Sequence, residues 1–184
     1  MAKVLVPFTK GVEEIEFIAV VDILRRAGVE VCMASLDGKP VTGRSGITIQ
    51  PDASLPDVMN DGWEMVVLPG GQPNARLLRD DANVKAVVTH LREHRKSIAA
   101  ICAAPTALAA YGVLEGKRVT SYPSTEAEIR EKAPSAVYVN DIVVEDDFLV
   151  TSRGAGTAIE FALRLVARLC GEDKSDAVRH SIVA

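Results

Sequence analysis

Cysteine is scarce in this chain, since Cys32, Cys102 and Cys170 are the only three among 184 residues. An odd number of scattered cysteines is not the pattern of a disulfide framework, which small secreted proteins use to hold their folds. A chain of this length buries a large core without such cross-links. We therefore expect a single domain over residues 1–184 in the reducing environment of the cytoplasm.

A long, strongly apolar run is also missing. Residues 98–114 come nearest to one, but alanine is their most frequent residue, and Pro105 interrupts them. A membrane span needs about 20 predominantly apolar residues. The apolar run within the first eight residues is too short for a signal peptide and is typical of a first strand. The sequence therefore predicts neither a membrane segment nor a secretory signal.

An excess of positive charge is absent as well. The chain has 21 Lys and Arg against 25 Asp and Glu, which gives a net charge of −4. Binding of nucleic acid needs a concentrated basic surface, so we do not expect nucleic acid as the main partner. His90 and His94 have the i, i+4 spacing of a metal site, but no third ligand accompanies them, and we expect no metal.

The residues that are present alternate between strand-like runs and helical spacings. The predicted strands are residues 3–7, 29–35, 63–68, 97–101, 117–121, 136–144 and 148–151, and the predicted helices include 12–27, 81–95, 126–132 and 158–170. This alternation is typical of a mostly parallel, doubly wound sheet with right-handed crossovers. It predicts a three-layer α/β/α sandwich that no linker or repeat divides.

Cys102 lies where one predicted strand ends and a helix begins. Pro105 fits the first turn of that helix, where a missing N–H is harmless. Such a sharp turn, a nucleophile elbow, presents a side chain at the carboxyl edge of the sheet, where ligands bind. Free N–H groups at a helix start favour a thiolate, so we expect a reactive Cys102 with a lowered pKa. The alternative is a small core residue.

Two further features are candidates for the same edge of the sheet. Gly70 and Gly71 follow the strand 63–68, and their bare N–H groups could cradle an oxyanion, although an ordinary turn is the alternative. Glu16 lies among apolar neighbours in the helix 12–27. From the residues alone, a lone Glu is expected to be an exposed carboxylate, and a buried acid is the alternative.

The helix 12–27 also has more apolar residues than one sheet face can cover. A helix that packs on one side only needs a single apolar stripe. The surplus predicts a contact with a second subunit. The apolar residues in question are Ile15, Ile18, Ala19, Val20, Ile23 and Leu24.

Four motifs, taken together and in order, resemble the ThiJ/PfpI superfamily, and the match spans nearly the whole chain. They are KGVEEIE at 10–16, VLPGG at 67–71, AAICAAPTAL at 99–108 and TSRGAGT at 151–157. A further motif, PDASL at 51–55, is shared with the branch that the chain resembles most. The resemblance is strongest to the deglycase branch of this superfamily, whose members are related in fold to class I glutamine amidotransferases.

The resemblance implies a flavodoxin-like homodimer in which Cys102 is both nucleophile and redox-sensitive thiol. Glu16 would be buried, hydrogen-bonded to Cys102, and protonated because two adjacent anions repel. The N–H groups of Gly71 and Ala103, beside Gly70, would hold an oxyanion. No metal or organic cofactor is implied.

The sequence departs from relatives at two positions. Tyr122 stands where deglycase relatives often have His, and Ala103 stands where peptidase-like members have a His directly after the nucleophile. We therefore do not expect a Cys-His protease. The downstream His and Glu pair of glutamine amidotransferases is not found either. Tyr122, Arg26 and Arg153 are candidate pocket residues.

Two functions follow from the resemblance. The first is a cysteine-dependent glyoxalase or protein deglycase, which acts on methylglyoxal and glyoxal, or on their adducts with protein thiols and amines, and releases lactate or glycolate. The second is a redox-sensing stress protein or chaperone that responds through oxidation of Cys102. The partners would be small dicarbonyls or glycated proteins.

Overall fold

The computed structural model describes residues 1–184 as strands and helices that alternate along most of the chain. The strands are β1 (Lys3–Phe8), β2 (Glu30–Ser35), β3 (Val41–Thr42), β4 (Thr48–Ile49), β5 (Ala53–Ser54), β6 (Met65–Leu68), β7 (Ser97–Ile101), β8 (Arg118–Val119), β9 (Val137–Tyr138), β10 (Val143–Asp146) and β11 (Leu149–Ser152). The helices are α1 (Glu14–Arg26), α2 (Leu55–Val58), α3 (Asn74–Asp80), α4 (Ala82–Glu93), α5 (Pro105–Ala110), α6 (Glu126–Lys132), α7 (Ala158–Cys170) and α8 (Glu172–Ile182).

Seven strands form the central sheet, in the order β10-β11-β7-β6-β1-β2-β5. All pairs are parallel except the hairpin of β10 and β11. The order of strands runs outward from β1 in both directions, which is the doubly wound topology. The predicted three-layer α/β/α, flavodoxin-like fold is confirmed.

Both faces of the sheet are covered, because side chains of successive residues in a strand point to opposite faces. In β1, Val4, Val6 and Phe8 belong to a core of 26 buried residues beneath α1 and α7, whereas Leu5 belongs to a second core of 24. The two cores are nearly equal in size, so burial on both faces holds the strands in place. Parallel strands consequently consist of almost uninterrupted apolar residues.

Two expectations about elements need correction. The segment predicted as a sheet strand at 117–121 contributes only β8, which pairs with β9 in a separate two-stranded sheet. Residues 136–144, predicted as one strand, are divided between β9 and β10. β8 and β9 therefore form their own short ladder, whereas β10 joins the central sheet as an edge strand.

No helix combines the length and apolar character that crossing a membrane requires. The feature that organises the site is instead the edge at which β1, β6, β7 and β11 end. Because these four strands are parallel neighbours, their carboxyl ends meet there. This is the edge at which open α/β sheets bind ligands.

Candidate active site

Cys102 directly follows β7 and has a backbone φ of 63°, in the left-handed region that residues other than glycine rarely adopt. Its N–H donates to the carbonyl of Ser152 over 3.0 Å, and its own carbonyl accepts from the N–H of Tyr122 over 2.8 Å. These two bonds hold a conformation that costs about 1–3 kcal/mol. The turn leaves the side chain half-buried at the carboxyl edge of the sheet, with α5 beginning at Pro105.

Glu16 reaches the same place from the first turn of α1. The helix is capped by Glu13, whose Oε2 accepts from the N–H of Glu16 over 2.8 Å. Glu16 is fully buried, and its Oε2 accepts from the N–H of Gly70 over 2.9 Å. The thiol of Cys102 lies beside it, since a Cβ built on Gly70 would be 2.5 Å from Oε2 of Glu16 and 3.1 Å from the sulfur. The acid and the thiol therefore form a pair, although they are 86 positions apart in the sequence.

The surroundings of Glu16 favour its protonated form. Burial raises the pKa of Glu16 from 4.5 to about 7, and the nearby charge of Glu13 adds to the rise, while hydrogen bonds to Cys102 and Gly70 and the charge of Arg44 oppose it. Oε1 is buried without a hydrogen-bond partner. A carboxylate with an unpartnered buried oxygen is costly, so the group holds a proton at a pH where an exposed Glu does not.

The charge of Cys102 is coupled to that of Glu16. With Glu16 ionised, burial and the adjacent carboxylate raise the pKa of Cys102 to about 12, although the N–H groups of Gly71 and Ala103 act in the opposite direction. The predicted lowering of this pKa is therefore wrong for that charge state, because burial outweighs the helix start. Since adjacent anions repel, Glu16 and Cys102 do not both ionise near neutral pH, and a thiolate is favoured only while Glu16 holds its proton.

Gly70 and Gly71 bring backbone N–H groups against this pair. A Cβ on Gly70 would lie 2.6 Å from the Cβ of Cys102 and 2.5 Å from Oε2 of Glu16, so no side chain fits there. Gly71 has a φ of 88° and lies against the backbone of Gly11. We call the N–H groups of Gly71 and Ala103, which both act to lower the pKa of the Cys102 thiol, the N–H cradle.

The three candidate pocket residues lie in different places. Tyr122 is 48% exposed and its ring faces Gly154, whose own added Cβ would be 3.4 Å from that ring. The Arg153 backbone is close by, but its guanidinium donates to the carbonyl and side-chain oxygens of Asn140. Arg26 is not brought to the site. It is paired with Asp22 in the last turn of α1, about 15 Å along the helix from Glu16.

Sequence reasoning missed two residues at the site. Gly154 is buried beside Tyr122, and an added Cβ would lie 4.0 Å from Oε1 of Glu16. Glu13 caps α1 and raises the pKa of Glu16. A carboxylate three residues before Glu16 is a recognisable capping signal, whereas nothing local indicates that Gly154 faces this helix.

The histidines do not join the site. His90 and His94 are exposed on α4, and His180 is exposed on α8. The Nδ1 atoms of His94 and His180 each contact a backbone carbonyl of their own helix. None of the three histidines is therefore placed to act as a base at Cys102.

The protein is thus an α/β protein with a cysteine at a nucleophile elbow after a central strand. A buried acid from the first helix lies beside this cysteine. The sequence pattern of the DJ-1/PfpI family matches residues 2–168, and the chain belongs to this family, which confirms the resemblance. It is similar to Protein dj-1beta of Drosophila melanogaster, with 41% identity over 97% of this chain and 95% of the relative. The crystal structure of that DJ-1beta has a TM-score of 0.95 at 40% identity, covering 100% of this chain and 98% of the other.

Two other relatives carry informative names. The glutathione-independent glyoxalase DJR-1.2 of Caenorhabditis elegans is 36% identical over 96% of this chain and 92% of its own length. An oxidized DJ-1 structure from Toxoplasma gondii has a TM-score of 0.94 at 34% identity, covering 100% of this chain and 98% of the other. The family thus includes a protein named as a glyoxalase, which supports an enzymatic role.

Proposed function

We propose that this chain is a cofactor-independent glyoxalase or protein deglycase. Its substrates would be methylglyoxal and glyoxal, or the early adducts that these dicarbonyls form with thiols and amines. The observation that carries the proposal is the pairing of Cys102 with a buried Glu16 beside the N–H cradle. The relative named as a glutathione-independent glyoxalase supports the same chemistry.

The first step is addition of the Cys102 thiolate to the aldehyde carbon of methylglyoxal. A carbon–sulfur bond forms, the carbonyl π bond breaks, and the negative charge moves from sulfur to the former aldehyde oxygen. The N–H cradle is suited to stabilise charge that develops next to the sulfur. Protonation of this oxygen gives a hemithioacetal.

The second step moves hydrogen within the bound molecule. Glu16, now a carboxylate, removes the proton from the former aldehyde carbon, and a proton is returned to the neighbouring ketone carbon through an enediol. The aldehyde carbon is thereby oxidised and the ketone carbon reduced, so no external oxidant or cofactor is needed. A carboxyl group with a pKa of about 7 is suited to both halves of this transfer.

The product of these steps is a lactate thioester on Cys102. Water adds to the thioester, the carbon–sulfur bond breaks, and lactate leaves while the thiol is restored. In total one methylglyoxal and one water give one lactic acid. With glyoxal the same steps give glycolate.

The test is turnover by the purified protein without glutathione. We expect methylglyoxal to be converted to lactate, detected by NMR with a second enzymatic assay for lactate, and we expect glycolate from glyoxal. A methylglyoxal-modified peptide, offered in a parallel reaction, separates adduct repair from direct use of the free aldehyde. If neither the aldehydes nor the modified peptide yields a hydroxy acid, the proposal is wrong.

The environment of the sulfur favours a second function, a redox-sensing stress protein. Peroxide oxidises a thiolate to sulfenic acid and then to sulfinic acid. A sulfinate at Cys102 would accept hydrogen bonds from the N–H groups of the cradle and from protonated Glu16. Cys32 has no such donors, since only burial and nearby charges act on its thiol.

Under limiting peroxide we therefore expect Cys102 to gain oxygen before Cys32 and Cys170. Mass spectrometry of proteolytic peptides measures the order directly. Cys170 is exposed, so it controls for simple accessibility. Equal oxidation of the three cysteines would remove the basis for this second function.

We also propose that the protein forms a homodimer through α1. Ile15 is 58% exposed and Ile18 is 46% exposed on this helix, one turn apart, and Ile159 on the adjacent α7 is 46% exposed. These side chains form an apolar surface that continues from the helix that carries Glu16. A two-fold contact that pairs this surface with itself would bury it.

Ile15→Asp or Ile18→Asp is accordingly expected to break the dimer and to reduce the reactivity of Cys102. Light scattering measures the mass of the particle in solution and so shows whether the dimer persists. The rate of Cys102 alkylation shows whether loss of the dimer also changes the reactivity of the thiol. Ile142→Asp is the matched control, because Ile142 is 54% exposed but lies before β10. A monomeric wild-type protein at working concentrations would refute both the interface and the linkage.

A further inference from the structure

Asn74 is a fully buried amide at the start of α3, beside the loop that follows β6. Its Nδ2 donates to the carbonyls of Pro69 and Gly70, over 2.8 and 3.0 Å. Its Oδ1 accepts from the N–H of Thr9 over 2.8 Å. Both ends of the amide are therefore used, and they tie the loop to the residue that follows β1.

These bonds fix the direction of two peptide groups. The carbonyl of Pro69 and the N–H of Gly70 belong to one peptide plane, and the carbonyl of Gly70 and the N–H of Gly71 belong to the next. In a trans peptide the C=O and N–H bonds point in opposite directions. With both carbonyls held by Asn74, the two N–H groups point the other way.

The N–H groups of Gly70 and Gly71, which point away from Asn74, face Glu16 and Cys102. The N–H of Gly70 donates to Oε2 of Glu16 over 2.9 Å, and the N–H of Gly71 acts to lower the pKa of the Cys102 thiol. The carbonyl of Gly70 also accepts from the N–H of Glu13 over 3.1 Å, so the peptide plane is held from the α1 side as well. Glycine has no Cβ to restrict its backbone dihedral angles. The orientation of the Gly70 and Gly71 peptides therefore depends on these hydrogen bonds.

We propose that Asn74 is a positioning residue that aims the N–H groups of Gly70 and Gly71 at Glu16 and Cys102. The inference deepens the proposed function, since the same N–H groups would stabilise the oxyanion. The hydrogen-bond partners of Asn74 are Thr9, Pro69 and Gly70, and neither Cys102 nor Glu16 is among them. Its effect reaches Cys102 through the two peptide planes, so its loss changes the chemistry of the thiol.

The test is the pH dependence of Cys102 alkylation by iodoacetamide, followed peptide by peptide with mass spectrometry. Asn74→Ala removes the amide, and Asn74→Asp keeps its volume and its acceptor for Thr9 but loses the N–H donors. We expect both variants to move the alkylation midpoint of Cys102 upward by about one pH unit, which is about a tenfold loss of thiolate below the midpoint. Glu16 and the charged groups that act on it, Glu13 and Arg44, are unchanged in both variants. A shift of the midpoint therefore reports the orientation of the N–H groups of Gly70 and Gly71.

Two controls accompany the variants. Ser175→Ala removes another buried side chain, whose hydroxyl donates to the carbonyl of Leu163 between α7 and α8, and it is expected to leave the midpoint unchanged. Alkylation of the exposed Cys170 is expected to stay the same in every protein. Circular dichroism and thermal unfolding establish that each variant is folded.

The outcomes separate this inference from the proposed function. A folded Asn74→Ala protein whose midpoint equals that of the wild type overturns the inference, and so does a shift in Asn74→Asp alone, which would be an effect of the added charge. Failure of both variants to fold also contradicts it, because Asn74 would then act on the fold rather than on the site. Alkylation needs no substrate, so absence of lactate formation would refute the glyoxalase while leaving this result intact.

Discussion

Cys102→Ala is expected to abolish lactate formation from methylglyoxal, with a loss of at least about 10³-fold. The thiolate is the nucleophile that opens the proposed route, and a water molecule in the space of the sulfur could not form the thioester. The substitution leaves the backbone conformation unchanged, because alanine retains the Cβ and has the same steric strain as cysteine at the φ of 63°. The variant therefore removes the sulfur without relaxing the turn.

The matched control for this variant is Cys170→Ala. Cys170 is exposed at the end of α7, far from the carboxyl edge of the sheet, and its loss is expected to leave turnover unchanged. Lactate is measured under identical conditions for the two variants and the wild type. Wild-type activity in Cys102→Ala would end the proposal of covalent catalysis, whereas loss in both variants would show that the substitutions disturb the fold.

Local patterns explain why the centre of the fold could be predicted. The boundary at Cys102 is marked on both sides, by the apolar strand β7 before it and by Pro105 in the first turn of α5 after it. The helix that carries Glu16 ends before Gly28, with Arg25 and Arg26 in its last turn. Such signals lie within a few residues of the feature that they specify, so one sequence suffices to recognise them.

Contacts between distant segments could not be predicted in this way. From the residues alone Glu16 was expected to be exposed, and only the family resemblance placed it beside Cys102, because its burial depends on the loop at Gly70. Asn74 gave no signal, since its three partners lie on two other segments. The raised pKa of Cys102 likewise depends on burial, which a helix-start argument leaves out.

Glu16→Gln is expected to lower lactate formation by about 10²-fold or more, because a positioned acid or base contributes this much to proton transfer. The amide keeps the shape of the side chain and can still accept from Gly70, but it cannot remove the proton from the hemithioacetal. Addition of Cys102 to the aldehyde continues. We therefore expect a covalent adduct of methylglyoxal to accumulate on Cys102, which intact-protein mass spectrometry detects.

The same variant is expected to change the pH dependence of stability. Folding raises the pKa of Glu16 from 4.5 to about 7, so between these values the folded protein holds a proton that the unfolded chain has released. Wild-type stability therefore falls as pH rises through this window, by about 3 kcal/mol at about 1.4 kcal/mol per pKa unit. Glu16→Gln has no proton to lose there, and its urea-unfolding free energy is expected to decline less from pH 4.5 to 7.5.

Glu14→Gln is the control, because the pKa of Glu14 is shifted in the opposite direction and its effect on the pH dependence of stability has the opposite sign. Glu14 is also buried in α1, and although burial raises its pKa, hydrogen bonds from the backbone of Ser45 and Ile47 lower the pKa below the ordinary value. A carboxylate with a lowered pKa stabilises the fold above its unfolded pKa and loses this effect as pH falls. Glu14→Gln should therefore weaken the protein at neutral pH and leave the decline from pH 4.5 to 7.5 in place. If Glu16→Gln shows the same decline as the wild type, the buried proton on Glu16 is refuted, and with it the thiolate that depends on that proton.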